Sequence, residues 1–253
     1  MKIFKFGGAS VKDSESIKNV TRILQSEGTE NTLVVISAMG KMTNAFEEVI
    51  DAYYANKEDL SQKLSLIEHF HKTIINDLFD KGDSIYEEID ILLGELSWFL
   101  ARNTSRRYNY VYDQIICFGE LLSTKIVSAY LLKTGILNTW FDVRNFIKTD
   151  SNYRDAKVDW ELTKEIIGNK LDASKLNITQ GFIAANDTEN TTTLGREGSD
   201  YTAGIFAYCL DADSVTIWKD VPGVLNADPR VFLETTLLAQ ISYEEAIEMA
   251  FYG

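Results

Sequence analysis

The chain has 253 residues, 45% of them hydrophobic, enough for one large domain or two lobes around a sizeable core. Its formal charge of −13 repels nucleic acid and anionic membranes, so neither is an expected partner, although a few cations gathered in one cleft can still hold a phosphate. The two cysteines, Cys117 and Cys209, lie in apolar contexts, offer neither a disulfide framework nor zinc spacing, and fit a reduced, cytoplasmic chain.

Residues 2–6 predict a first strand with Lys5 at its tip, and Gly7-Gly8 follow at once. Only about six apolar-leaning residues precede Gly7, which does not make a signal peptide. Residues 12–26 predict an amphipathic helix with Ile17, Val20, Ile23 and Leu24 on one face. LVVISA, 33–38, is wholly apolar, as in a strand buried on both faces. A helix is expected to begin near Thr43.

From about 45 to 115, in KEDLSQKLSLIEHFHKTIINDLF and then SIYEEIDILLGELSWFLARN, leucines and isoleucines recur every three or four places and predict a helical insertion or cap. His69 and His71 lie two apart, so they point apart on a helix and make a poor metal pair; a surface or half-buried place is expected for both. Residues 118–135 predict a helix closed by Gly135, and 136–141 and 177–185 predict strands. NDTENTTT reads as a polar loop, DYTAGIFAYCL as a helix that Ser199 or Asp200 could cap, and SVTIW (214–218) as a buried strand. A loop with both prolines follows, then SYEEAIEMAF with Ser242 and Glu245 at capping-box spacing. No run approaches the ~18 apolar residues of a membrane helix. Strands alternating with helices predict an α/β fold with a mainly parallel sheet.

Four stretches carry chemistry. KFGGAS offers a lysine, Ser10 and uncrowded backbone amides near a helix start, a setting for a phosphoryl group, although a tight turn with an edge lysine explains it as well. TTTLGREGSDYTAG sets Arg196, a fork for carboxylate or phosphate, beside Gly195, Gly198, Ser199 and Asp200. WKDVPGVLNADPR follows a strand, where α/β proteins place ligands, and SAMGKMTN adds hydroxyls at Ser37 and Thr43. The P-loop, G-x-G-x-x-G, nucleophile-elbow and H-E-x-x-H patterns are absent.

In this order, KFGGASV, VVISAMGKMTN, FGELLS, TQGFI, TTTLGREGSDYTA, WKDVPGVLNADPR and ISYEEAIEMAFYG resemble the landmarks of aspartate kinases of the amino-acid kinase superfamily, from residue 2 to residue 253. The resemblance implies a three-layer αβα sandwich with a mainly parallel sheet and the helical insertion near 45–115. It implies one catalytic domain over 1–253, with a substrate lobe to about 190 and a nucleotide lobe from 191. It implies transfer of the γ-phosphoryl group of ATP, with Mg2+, to the β-carboxylate of L-aspartate, the first step towards lysine, threonine and methionine.

Carried over residue by residue, Lys5 stabilises the transferring group and Asp200 orients Lys5, while Gly7, Gly8 and Ser10 lie against the phosphates. Ser37 and Thr43 contact aspartate, Glu120 pairs with its amine, and Arg196 holds a carboxylate with Ser199 beside it. Lys219, Asp220, Leu225 and Arg230 serve the nucleotide, and no residue is assigned to the metal. A carboxylate is already a competent nucleophile at neutral pH, so the chemistry reduces to aligning two anions and cancelling their repulsion.

Glu197, where relatives commonly have glycine, is expected to face solvent. Relatives continue beyond FYG with ACT regulatory domains, so an isolated catalytic domain is expected here. Two other readings stay open: a sibling kinase acting on glutamate or N-acetylglutamate, and a binding module without turnover. A homodimer through the helical stretch is the candidate assembly.

Overall fold

A computed structural model describes residues 1–55 and 58–252. Lys57, where the KEDLSQ run begins, and Gly253 lie outside the described residues. The elements are β1 (Lys2–Phe6), α1 (Ser14–Glu27), β2 (Thr32–Ile36), α2 (Met42–Tyr54), α3 (Leu60–Leu78), α4 (Ile85–Arg102), α5 (Tyr108–Ile116), α6 (Phe118–Lys133) and β3 (Thr139–Trp140). Then come α7 (Trp160–Lys170), β4 (Asn177–Gln180), β5 (Ile183–Ala185), β6 (Thr191–Thr193), α8 (Gly198–Leu210), β7 (Ser214–Trp218) and α9 (Tyr243–Tyr252). A 3-10 turn, Gly8–Val11, joins β1 to α1.

Five parallel strands form the central sheet in the order β3-β4-β2-β1-β7, and β5 and β6 make a separate antiparallel pair. β2 is buried along its whole length, which is why its sequence does not alternate. α6 packs on β2, β3 and β4, and α8 on β1, β2 and β7, so helices flank the sheet as expected. The helical stretch resolves into α2 to α5. Gly135, at φ +86°, ends α6 as a left-handed glycine while the Ile136 amide donates to the Leu131 carbonyl.

The chain divides into two compact units, 1–218 and 219–253. β7 pairs with β1 and α8 packs beneath both, which ties residues 191–218 to the first unit. Within the second unit, Leu225 and Leu237 form an antiparallel bridge and α9 starts with the expected capping box, Ser242 and Glu245 bonding each other's amides.

Several expectations need correction. Lys5 is not at the tip of β1: the strand runs one residue further and Lys5 is only 6% exposed, because β2 and β7 flank it. The strand predicted over 177–185 is two strands in two sheets, since the chain turns at Gly181-Phe182, where Phe182 has φ +69°. The threonine run counted as loop is β6, buried throughout. Neither Ser199 nor Asp200 caps α8; both lie in its first turn, and Glu197, at φ +56°, is the cap without a side-chain bond.

α5 and α6 follow each other so closely that Tyr108–Lys133 is long and apolar enough to cross a membrane, with mean hydropathy 1.6. Serine, threonine and glycine hide this in the sequence. Because 78% of its apolar window is buried inside the molecule, its partner here is protein core.

His71 is fully buried rather than half-exposed. Its Nδ1 meets the Ile67 carbonyl at 2.8 Å and its Nε2 has no partner, so desolvation pushes its pKa down to about 4. A pKa lowered by folding means stability that is full above the ordinary histidine value of about 6.5 and is lost between there and about 4. In urea unfolding, the parent is expected to lose on the order of 2 kcal/mol more than His71→Leu between pH 7.5 and pH 5. Parallel losses would contradict this.

Candidate active site

The carboxyl ends of β1, β2 and β4 lie side by side. The Ser37 amide donates to the Phe6 carbonyl at 3.1 Å, and the Gly181 amide to the Ile36 carbonyl at 2.9 Å. The loops leaving these strands therefore converge on one spot, as ligand-binding loops do in parallel sheets. The Gly40 amide donates to the Gly8 carbonyl at 2.9 Å, and a Cβ on Gly8 would lie 2.8 Å from both the Ala38 and Gly40 carbonyl oxygens. Only glycine permits this approach. Gly181 is under the same constraint, since a Cβ there would lie 2.5 Å from the Ser199 Cβ.

Beyond these loops is a cavity of about 490 Å³. Of the residues singled out in the sequence, Lys5, Gly8, Ser37, Thr43, Glu120, Arg196 and Ser199 line it. They come from β1, from the loops after β1 and β2, from α2 and α6, and from the turn into α8. Asp200 reaches the same place through Lys5: its Oδ1 is 2.6 Å from the Lys5 Nζ. A buried ammonium needs such a partner, and the first turn of α8 supplies it. Gly7 borders the ammonium too, its Cβ position being 3.5 Å from Nζ. Ser10 turns the other way, donating to the Trp218 carbonyl at 3.3 Å, which leaves its hydroxyl hydrogen committed to the sheet edge.

Glu120 is 3% exposed. Its Oε1 accepts from the Ala38 amide at 3.2 Å, and its Oε2 has no partner. Desolvation pushes its pKa up to about 8, against the weaker pull of the Ala38 bond. Gly119 brings it close: a Cβ there would lie 3.0 Å from the Ala38 Cβ. Glu197 is exposed, as expected, yet borders the cavity mouth.

Lys219, Asp220, Leu225 and Arg230 belong to the second unit. There Arg230 is exposed and forks onto Asp228, with Nη2 2.7 Å from Oδ2.

Sequence reasoning passed over Tyr112, Arg154, Phe182 and Thr193, which also line the cavity. Tyr112 is hidden in an apolar helix, and Arg154 in a polar turn. Phe182 lies inside TQGFI and Thr193 inside the threonine run, so the motifs contained both without singling them out.

A sequence model of the amino acid kinase family matches residues 1–253. The chain belongs to the amino acid kinase family. It is 33% identical to lysine-sensitive aspartokinase 3 of Escherichia coli (strain K12), over 99% of this chain and 56% of that one. It is also 33% identical to bifunctional aspartokinase/homoserine dehydrogenase 2, chloroplastic, of Arabidopsis thaliana, over 99% of this chain and 28% of that one. The crystal structure of E. coli aspartokinase III in complex with aspartate and ADP superposes with a TM-score of 0.91, at 33% identity, covering all of this chain and 56% of that one. This family member thus spans about half the length of the first relative and about a quarter of the second.

Gly8→Ala is expected to cost about 1–3 kcal/mol, because two backbone carbonyls must move to admit the methyl group. Gly94→Ala, in α4 with nothing within 4 Å of the new Cβ, is expected to be neutral or stabilising. Thermal unfolding of the two variants side by side checks this; equal melting temperatures would mean that the strand-end loops are not packed this tightly.

Proposed function

We propose that this chain is the catalytic domain of an aspartate kinase, transferring the γ-phosphoryl group of ATP to the β-carboxylate of L-aspartate. The observation that carries the reading is Glu120. A buried carboxylate with one oxygen unpartnered, facing a cavity with two arginines and a lysine, is matched by a ligand that is anionic at one end and carries an ammonium group. The free amine of aspartate meets Oε2, while the Arg196 fork takes a carboxylate, with Ser37, Thr43 and Ser199 as hydroxyl contacts. An acetylated amine leaves Glu120 unsatisfied, which disfavours N-acetylglutamate.

Lys5, held by Asp200, meets the transferring phosphoryl group, whose charge grows least tolerable between donor and acceptor. The amides of Gly7 and Gly8 lie beside it. Lys219, Asp220, Leu225 and Arg230 are the proposed nucleotide contacts, on the resemblance alone. Among the described residues no group of three or more acidic, histidine or cysteine side chains could cage a metal. Mg2+ would be carried on the nucleotide's phosphates and, when bound, would neutralise phosphate charge. Both cysteines are unpaired, which suits the cytoplasm.

A coupled assay offering ATP–Mg2+ with aspartate, glutamate or N-acetylglutamate is expected to show turnover with aspartate. Turnover only with the other two, or binding without turnover, would replace this reading with one of its rivals. Lys5→Ala is expected to lower kcat by roughly 10²–10³-fold. Because the ammonium needs ionised Glu120, the KM for aspartate is expected to fall as pH rises from 6.5 to about 8 and then level off. Glu120→Gln should have a raised KM without that pH dependence; an unchanged pH profile would remove Glu120 from the site.

A further inference from the structure

Arg154 lies between α6 and α7 on a segment the proposed chemistry does not use. Its φ is +72°, a left-handed conformation that costs an arginine roughly 1 kcal/mol and a glycine almost nothing. The surroundings enforce it. Asp113, fully buried in α5, accepts from the Arg154 amide at 3.0 Å through Oδ2, and the same oxygen accepts from the Thr193 amide at 2.9 Å. Its Oδ1 accepts from the Thr193 hydroxyl at 2.9 Å. This carboxylate is spent on backbone and hydroxyl, so it clamps the turn to β6 without neutralising the guanidinium by direct contact.

The guanidinium lies over the ring of Tyr112, with Cζ 4.3 Å from the centroid, and faces Tyr108 at 5.7 Å. The Tyr112 ring is itself buried, its hydroxyl donating to Glu47 at 2.8 Å. Stacking occupies a face of the guanidinium and leaves its N–H edge free. Among the described residues Arg154 makes no ion pair, and neither does Arg196 or the exposed Glu197. The Arg154 carbonyl oxygen lies 3.5 Å from where a Cβ on Gly195 would be, so this turn packs against the one that carries Arg196. Two guanidiniums outside any ion pair, on adjoining turns, border one cavity.

We infer that Arg154 is a second, specificity-determining guanidinium of the acceptor site, held over Tyr112 and clamped by Asp113 so that its edge reads a carboxylate of a dicarboxylic amino acid. The inference rests on the reading of this cavity as the acceptor pocket. It separates the two anionic reactants: the turn of Arg154 packs against that of Arg196, which assigns it to the acceptor and not to ATP. A planar carboxylate fits a guanidinium edge through two parallel bonds, which a lysine cannot reproduce.

Steady-state kinetics of Arg154→Gly and Arg154→Lys test this, and glycine at a positive φ keeps the fold. The expected result for Arg154→Gly is a KM for the acceptor about tenfold higher, a KM for ATP within about twofold of the parent, and an unchanged or higher melting temperature. Arg154→Lys is expected to recover only part of the loss. An unchanged acceptor KM, or acceptor and ATP KM values that rise together, would overturn the inference. The comparison is made with whichever acceptor the parent uses: if that is glutamate, the aspartate reading fails while the tenfold test still decides Arg154. If the parent binds without turnover, calorimetric titration with aspartate and with glutamate reads the same loss. A parent that binds neither overturns both.

Discussion

An ammonium group in the middle of a parallel sheet must be paired, and in this chain the pairing organises the site. Lys5 lies on β1, the strand flanked by β2 and β7, and is almost wholly removed from water. Left alone, such a charge would cost several kcal/mol or lose its proton. Asp200 meets it at 2.6 Å from the first turn of α8, where the positive end of the helix also favours a carboxylate. The pair therefore requires α8 to enter beside the end of β1, which in turn requires the left-handed turn at Glu197 and the bare backbone of Gly181 and Gly198.

The walls of the cavity divide by charge and by solvation. On one side Glu120 is dry and half-satisfied, and burial raises its pKa to about 8. On the other, Arg154 and Arg196 are exposed and lack counter-ions of their own among the described residues. Beneath them Asp113 is also dry, but both its oxygens accept bonds, from Thr193 and Arg154, and its pKa rises only to about 6. Two buried acids thus do different work: one holds a turn, the other is open to a ligand. In a chain with a net charge of −13, three cations, Lys5, Arg154 and Arg196, nevertheless border this one cavity.

Much of the fold was legible from the residues. β1, β2 and the amphipathic α1 follow from runs whose periods are unambiguous, and the glycine after α6 marks its end; β7 was legible as a strand, but it is a half-exposed edge strand rather than the buried one expected, because it pairs with β1 on one side only. The errors have a common cause. The 177–185 run looked like one strand because its composition is uniform, yet the chain turns at Gly181 to clear Ser199. The threonines 191–193 looked like loop because they are polar, yet their partners include the half-buried Gln114 and the buried Asp113 side chains, far away in sequence. His71 looked amphipathic because helical spacing shows which residues share a face, not how deeply that face is covered.

The sequence by itself determined the alternation of strands and helices, the glycines at the strand ends, and the order of motifs that place the chain in its family. Those features depend on spacing along the chain, and spacing is local. Tertiary structure alone decided that Lys5 is dry, that Asp200 does not cap α8, that Glu120 keeps an unpaired oxygen, and that the turn of Arg154 packs against that of Arg196. Each of these depends on solvent exclusion and on distances between segments from tens of residues to nearly two hundred apart, set only when the sheet assembles and the loops close over its carboxyl edge.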